Sequence, residues 1–381
     1  MKKKVLVFTG SRADYGILKN LINKLKKNFN VEICAGGCHF SSKFGYTYKE
    51  IIKDKNTIKY KSLKGPISFD NYSLLKFMSK SLLEYSKFVK ISKSDLVIIL
   101  GDRYEAFIFA IAGFFLQKKI IHIHGGEVTS GAFDDSLRHS ISKLSNYHFV
   151  SHTDYQKRLI QLGEDKKKIY ITGALGVENF SNARKLYKKE IIKKFNLNKN
   201  YKIALITFHP ETRSSISIKK QIIIFLNSLK KINNINFVFT YNNADTGANY
   251  FIKKIKEFKK KKNKNFRLIK SLGSDMYFSI LKSSDIIIGN SSSGILEAPS
   301  ARTPTLNIGN RQLGRVFGPS VFQCNLEKKH ITKNISKILK LKKIKFKNPY
   351  FKKDVSSKMI SLCKKIVSKK KEAFKKFYDV K

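Results

Sequence analysis

The sequence predicts an α/β protein made of two Rossmann-like halves, each a doubly wound parallel sheet with helices on both faces. Three observations carry this. Short β-rich apolar runs alternate with longer amphipathic ones along the chain, as expected for parallel strands buried between helices. There are ten such strand candidates, too many for one compact doubly wound unit, and the pattern restarts after a lysine- and asparagine-rich break over residues 182–202. Polar clusters follow directly on strand ends, where ligands sit in sheets of this kind.

The first half opens with a strand over 5–9, whose apolar run stops at Thr9-Gly10 and is too short for the core of a signal peptide. A helix follows over 15–27, then a strand over 31–35 and a long helix over 74–91. The run Leu96-Val-Ile-Ile-Leu100 is a fully apolar strand, leading into a helix over 104–116. Strands over 120–124, 148–150 and 169–172 complete this half. In the second half, strands over 203–208, 237–240, 286–289 and 305–308 alternate with helices over 219–231 and 276–282. The tail is lysine-rich and helical by pattern, and is expected to cross back onto the first half. The predicted organisation is thus residues 1–180, 181–350 and a C-terminal helical segment over 351–381.

A formal net charge of +50 suggests a nucleic-acid binder at first sight. Lysine supplies most of it, however, spread along the chain with few arginines or aromatics placed to read or stack bases, so no nucleic-acid partner is expected. Such a field still draws in anionic metabolites at low salt. No apolar stretch approaches the roughly 20 residues that cross a bilayer, so no membrane partner is expected either. Cys34, Cys38, Cys324 and Cys363 contain no CxxC pair and form no metal framework with the histidines. They fit a reduced cytoplasmic protein without a metal.

The segment Gly289-Asn290-Ser291-Ser292-Ser293-Gly294 closes a strand and opens a helix-like run that includes Glu297. Backbone N–H groups freed in a first helical turn, with glycines that let a ligand approach, suit a phosphate. Thr9-Gly-Ser-Arg-Ala-Asp-Tyr-Gly16 offers Arg12 as a fork for diphosphate oxygens, with a surface pair to Asp14 as the alternative. Asp14 itself reads as a helix cap. Asp102 follows the apolar strand within Gly101-Asp-Arg-Tyr-Glu105, and partial desolvation there suits a base; capping the next helix is its other reading. Glu127, in His122-Ile-His-Gly-Gly-Glu127, follows two glycines and has room to reach a ligand, while the histidines read as packed and hydrogen-bonded. Asp134 or Asp135 caps the helix that carries Arg138, and one of them can serve a site. His209, in Phe208-His-Pro-Glu-Thr-Arg213, suits a departing phosphate. The turn over 242–248 reads equally as an Asx turn.

Taken together these blocks, with Ile160-Gln-Leu-Gly-Glu164, Gly173-Ala-Leu-Gly176, Asn307-Ile-Gly-Asn-Arg-Gln312 and the closing Phe377-Tyr-Asp379, resemble the UDP-N-acetylglucosamine 2-epimerases in the family's order along nearly the whole chain. The related non-hydrolysing branch tends to carry Glu-Ala-Gly at Gly125-Gly-Glu127 and Pro-Glu-Glu at Phe133-Asp-Asp135, so the chain looks most like the hydrolysing branch that feeds sialic-acid-type sugars. The resemblance implies a GT-B-like fold with a UDP-sugar in an inter-domain cleft, no cofactor, and a homodimer or tetramer. It implies that Asp102, Glu127 and Asp134 work at the sugar, that His209, Arg12 and the Ser291/Ser292 turn with Asn290 and Gly294 hold the diphosphate, that Glu297 accepts the ribose hydroxyls, and that uracil rests near Ser271. The expected reaction converts UDP-N-acetylglucosamine to UDP and N-acetylmannosamine through a 2-acetamidoglucal. Alternatives are the same reaction on the 2,4-diacetamido-2,4,6-trideoxy nucleotide sugar of the legionaminic acid route, a non-hydrolysing epimerase, and a GT-B glycosyltransferase.

Overall fold

The structure is a computed structural model that describes residues 2–41, 45–61, 71–230, 232–241, 247–261, 265–270, 272–369 and 375–379. Ser271, and most of the turn over 242–248, lie outside the described residues.

In chain order the elements are β1 (Lys4–Thr9), α1 (Arg12–Leu25), β2 (Asn30–Ala35), α2 (Tyr48–Lys53), β3 (Ile58–Lys61), α3 (Asn71–Ser92), β4 (Leu96–Leu100), α4 (Tyr104–Phe115), β5 (Ile120–Ile123), α5 (Asp134–Leu144), β6 (Tyr147–Val150), α6 (Thr153–Gln161), β7 (Ile169–Ile171), α7 (Leu175–Asn182) and α8 (Lys188–Lys194). They continue with β8 (Lys202–Thr207), α9 (Ile218–Leu229), β9 (Ile235–Thr240), α10 (Ala248–Lys261), β10 (Phe266–Ile269), α11 (Gly273–Ser283), β11 (Ile286–Gly289), α12 (Ser293–Leu296), α13 (Ala298–Ala301), β12 (Thr305–Ile308), β13 (Val321–Cys324), α14 (Lys328–Lys340) and α15 (Val355–Ser368).

Two sheets result, ordered β3-β2-β1-β4-β5-β6-β7 and β10-β9-β8-β11-β12-β13. The pairings run parallel, for example β1 with β2 and β4, and β8 with β9 and β11. The expected α/β class is therefore the observed one. The strands β3, β10 and β13 escape the sequence pattern because they lie at or beside sheet edges. β3 reads Ile-Lys-Tyr-Lys with alternate residues exposed, so it lacks the continuous apolar run of a central strand.

The chain divides into unit 1 (Met1–Glu127, Asp134–Glu178 and Tyr350–Lys381) and unit 2 (Val128–Phe133 and Asn179–Pro349). In unit 1, β1 sends Val5 and Val7 to one core and Leu6 and Phe8 to another, as the period-two alternation of a strand requires. The first core is closed by α1 and by α15, whose Val355, Met359, Cys363 and Ile366 form one buried helical face. The second is closed by Tyr85 of α3 and Phe109 of α4, which both pack on Phe8. Unit 2 repeats the plan: Ala204 and Ile206 of β8 face one core, Ile203 and Leu205 the other. Among the described residues no helix is long and apolar enough to cross a membrane.

The short piece Val128–Phe133 interrupts unit 1 and belongs to unit 2. The Arg213 N–H donates to Gly131 O at 3.2 Å, and the Phe133 N–H to Thr212 Oγ1 at 3.2 Å. Gly131 packs so closely on the Arg311 backbone that a Cβ there would stand 2.8 Å from it. The helix expected after the serine turn also differs: α12 and α13 are two single turns that meet at Glu297, with Pro299 in the first turn of the second.

Candidate functional site

In unit 1 the strand order reverses between β1 and β4, and in unit 2 between β8 and β11. At such a reversal the connections leave in opposite directions and open a crevice at the carboxyl ends of the strands. The predicted residues around Arg12 and Asp102 follow the first pair of strands, and those around His209 and Asn290 the second.

Asp102 leaves β4 and pairs through Oδ2 with the Arg138 guanidinium of α5. Arg138 is 1% exposed and also donates to Glu127 O at 3.0 Å, with Asp135 Oδ1 at 3.5 Å. One buried guanidinium thus ties the ends of β4, β5 and α5 together, which a planar five-donor fork can do and an ammonium cannot. Asp102 is partly buried beside this counter-charge, and the cap position of α4 is taken by Arg103 without a side-chain bond. Asp134 and Asp135 occupy the first turn of α5, favourable for carboxylates at the positive end of a helix.

Glu127 is fully buried, and its Oε1 lies 2.6 Å from His124 Nδ1 and 3.1 Å from the Ser151 hydroxyl that donates to it. His124 sits just past β5 with φ of 67°, a left-handed conformation that costs a non-glycine residue energy and is held only by its surroundings. The two glycines before Glu127 do not serve to give its side chain room, as the sequence suggested. At Gly126, φ is 75° and a Cβ would stand 2.3 Å from Tyr155 O; at Gly125 a Cβ would meet Ser142 Oγ at 2.8 Å. His122 and His124 do not share a site. His122 Nε2 donates to Gly101 O at 2.7 Å, leaving Nδ1 to accept from Ser142 Oγ at 2.9 Å. Burial pushes His122 down to about 3, so it stays neutral. Among the described residues, no group of three His, Cys, Asp or Glu is placed to hold a metal ion.

At the end of β1, Ser11 rather than Asp14 caps α1, accepting from the Asp14 N–H at 3.4 Å. The Asp14 carboxylate instead accepts from the Gly10 N–H at 3.2 Å. Burial raises Asp14 to about 6, with Glu105 adding to the rise and Arg103 opposing it. Arg103 forks onto Glu105, Nε to Oε2 at 3.1 Å and Nη2 to Oε1 at 3.3 Å. Gly10 and Gly37 pack on that buried carboxylate. Arg12 lies in the first turn of α1; burial lowers its pKa and the Glu50 carboxylate partly restores it.

In unit 2, Asn290 is completely buried and clamps the loop after β8: Oδ1 accepts from His209 N at 2.7 Å and Nδ2 donates to His209 O at 2.9 Å. Its role in this geometry is to position His209. Its own carbonyl accepts from Gln312 Nε2 at 2.8 Å, and Gln312 Oε1 accepts from Arg315 at 2.6 Å. Gly289 brings β11 against β8 so tightly that a Cβ would stand 2.1 Å from Thr207 O, at φ of 141°. The serine turn is closed by the Gly294 and Ile295 N–H groups bonding back to Ser291 O and Ser292 O at 3.1 and 2.9 Å. Ser291 and Ser292 are half-buried, while Gly294 and Glu297 are buried. Glu211 braces the same loops, accepting from the Asn310 and Arg311 N–H groups at 2.7 and 3.1 Å; burial nevertheless raises its pKa.

Sequence reading passed over Arg138 and Gln312 as site residues, and over Ser151 altogether. For Arg138 a signal existed, since Asp135 and Arg138 stand three apart and share a helix face. Ser151 meets Glu127 only through strand order, and no local pattern marks it.

A profile of the UDP-N-acetylglucosamine 2-epimerase family matches residues 23–364. The chain is 39% identical, over 83% of its length and 82% of the relative's, to a GDP/UDP-N,N'-diacetylbacillosamine 2-epimerase (hydrolyzing) of Campylobacter jejuni. It is 37% identical to polysialic acid biosynthesis protein P7 of Escherichia coli, over 99% of this chain and 98% of that one. The fold is similar to the crystal structure of a UDP-GlcNAc 2-epimerase from Neisseria meningitidis bound to UDP-GlcNAc, with a TM-score of 0.77 at 21% identity, over 95% of this chain and 100% of that chain. The family match covers most of the chain and reaches into both units, and the chain belongs to the UDP-N-acetylglucosamine 2-epimerase family.

Proposed function

We propose that the protein is a hydrolysing 2-epimerase of a UDP-linked N-acetylhexosamine, and that it converts UDP-N-acetylglucosamine and water to UDP and free N-acetylmannosamine. The observation that carries the reading is the set of carboxylates at the ends of β4 and β5 and the start of α5, where the buried Arg138 bonds the Asp102 and Asp135 carboxylates and the Glu127 main-chain carbonyl. The C2 hydrogen of such a sugar has no adjacent carbonyl, so a base removes it only as the C1–O bond to UDP breaks and positive charge grows at C1. That chemistry needs carboxylates to steady the charge and take the proton, and donors to hold the diphosphate.

Asp102, Glu127 and Asp134 fill the first requirement. His209, positioned by Asn290, fills the second with Arg12, Ser291, Ser292 and Gly294, while Glu297 accepts the ribose hydroxyls. In the first half-reaction the C1–O and C2–H bonds break, giving UDP, a 2-acetamidoglucal and a protonated base. In the second, water adds hydroxide at C1 and a proton at C2 on the opposite face. Support for N-acetylglucosamine as the sugar is the full-length likeness to a polysialic acid biosynthesis protein. A second reading, the same reaction on UDP-N,N'-diacetylbacillosamine, is favoured by the name of the Campylobacter jejuni relative.

Both nucleotide sugars are incubated with the protein without an acceptor, in deuterium oxide, and products are read by NMR. The expected result is stoichiometric UDP and a free 2-epimerised sugar carrying one deuterium at C2. An intact nucleotide sugar in both incubations, or accumulation of a UDP-linked epimer, overturns the proposal. Asp102→Asn is expected to abolish turnover while sparing UDP affinity, and near-normal turnover removes Asp102 from the mechanism.

A further inference from the structure

Two of the sequence blocks have no part in the reaction above, Ile160-Gln-Leu-Gly-Glu164 and the closing Phe377-Tyr-Asp379, and in unit 1 they meet. The Tyr378 N–H donates to Gly163 O at 3.0 Å, and the Phe377 ring lies so close over Gly163 that a Cβ there would stand 2.4 Å from Cε2. Lys143 Nζ of α5 sits 4.5 Å from the centroid of the same ring. Beside them, Lys375 Nζ donates to Ser142 O, Lys143 O and Ser145 O at 3.2, 2.9 and 2.6 Å. It also pairs with Glu164 Oε2 at 2.6 Å.

These carbonyls lie at the C-terminal end of α5, where a cation is the favoured cap. The other end of α5 carries Asp134 and Asp135, and between them stands Arg138, which holds Asp102. A second route starts from the same residue: the Ser142 hydroxyl donates to His122 Nδ1, and His122 Nε2 donates to the carbonyl of Gly101, the residue before Asp102. One route from the tail ends on the Asp102 carboxylate and the other on the backbone just before it.

We propose that residues 375–379 form a latch in which Lys375 is a positioning residue for the reaction, holding α5 and the β4 end so that Arg138 and Asp102 keep their geometry. The inference rests on the assignment of Asp102 and Arg138 to the reacting centre. The groups facing Lys375 are Glu164, Lys143, His148 and Lys168. Burial lowers Lys375 to about 8, with Glu164 opposing and Lys143 and Lys168 assisting the fall.

The test uses the full chain with Lys375→Met and Lys375→Arg, read by hydrogen exchange and by turnover of the nucleotide sugar. Lys375→Met is expected to speed exchange at least tenfold across α5 and residues 101–103 while leaving β8 and β9 of unit 2 unchanged. It is also expected to lower kcat at least tenfold with KM within twofold. Lys375→Arg restores protection and kcat. Wild-type exchange in α5 of Lys375→Met overturns the latch, as does acceleration spread evenly over all the strands of unit 1, which marks a folding defect. A wild type without turnover on either sugar refutes the proposed function instead, and the exchange result then still decides whether α5 is latched.

Discussion

The pairing of Asp102 with Arg138 makes a quantitative prediction. Replacing Arg138 with Met keeps the length of the stem and removes the guanidinium, leaving Asp102 without its counter-charge and Glu127 O without one donor. Removing one partner of a buried ion pair costs about 3–5 kcal/mol. The Asp102 side chain is 24% exposed, however, so water recovers part of that penalty and the lower end applies. Adding about 1 kcal/mol for the lost backbone bond gives a loss of about 3–4 kcal/mol in the stability of unit 1. Asp102→Asn removes the charge from the other side. If the two residues act on each other, the double variant is less unstable than the sum of the singles by about 1–3 kcal/mol. The assay is urea unfolding of wild type, both single variants and the double, followed by circular dichroism at one pH and salt concentration. Additivity within about 0.5 kcal/mol would refute the claim that Arg138 organises the carboxylates.

Asn290→Asp keeps the acceptor for the His209 N–H but turns the donor to His209 O into a second acceptor. A loss of about 2 kcal/mol in stability is expected, together with weaker UDP binding in calorimetry, and wild-type UDP affinity would contradict a positioning role for Asn290. A pH effect follows from the buried His39, which lies between Thr9 Oγ1 and Thr47 Oγ1 at 2.9 Å each and is pushed by burial down to about 3. In the unfolded chain it gains its proton near pH 6.5, so its contribution is whole above that pH and is lost as pH falls toward 3. His39→Gln should flatten the stability profile by about 1.4 kcal/mol per pH unit between roughly pH 6 and 4, and an unchanged slope in denaturation across that range would show that His39 titrates normally in the folded protein.

Much of this site was legible as sequence because strand ends announce themselves. Fully apolar runs such as Leu96-Val-Ile-Ile-Leu100 can hardly be anything but central parallel strands, so whatever polar residue follows stands at a carboxyl end. Asp102 and His209 were singled out in this way, and the structure puts them at strand ends where the strand order reverses. Roles were less legible. Asp14 looked like a cap, yet Ser11 takes that position. Asn290 looked like a ligand for phosphate, yet both ends of its amide are engaged by His209. The glycines before Glu127 looked like space for a side chain, yet they admit Tyr155 O and the His122–Ser142 pair to the backbone.

By itself, then, the amino-acid order determined the α/β class, the central strands and the family, because these depend on local periodicity and on residues adjacent in the chain. Only the tertiary structure decided which partner each of these side chains meets. Arg138 reaches Asp102 from 36 residues away, and Lys375 caps α5 from more than 200. Such partners are set by strand order and helix packing, for which neighbouring residues carry no signal, and an ion pair or a hydrogen bond is specified only when both of its ends are in place.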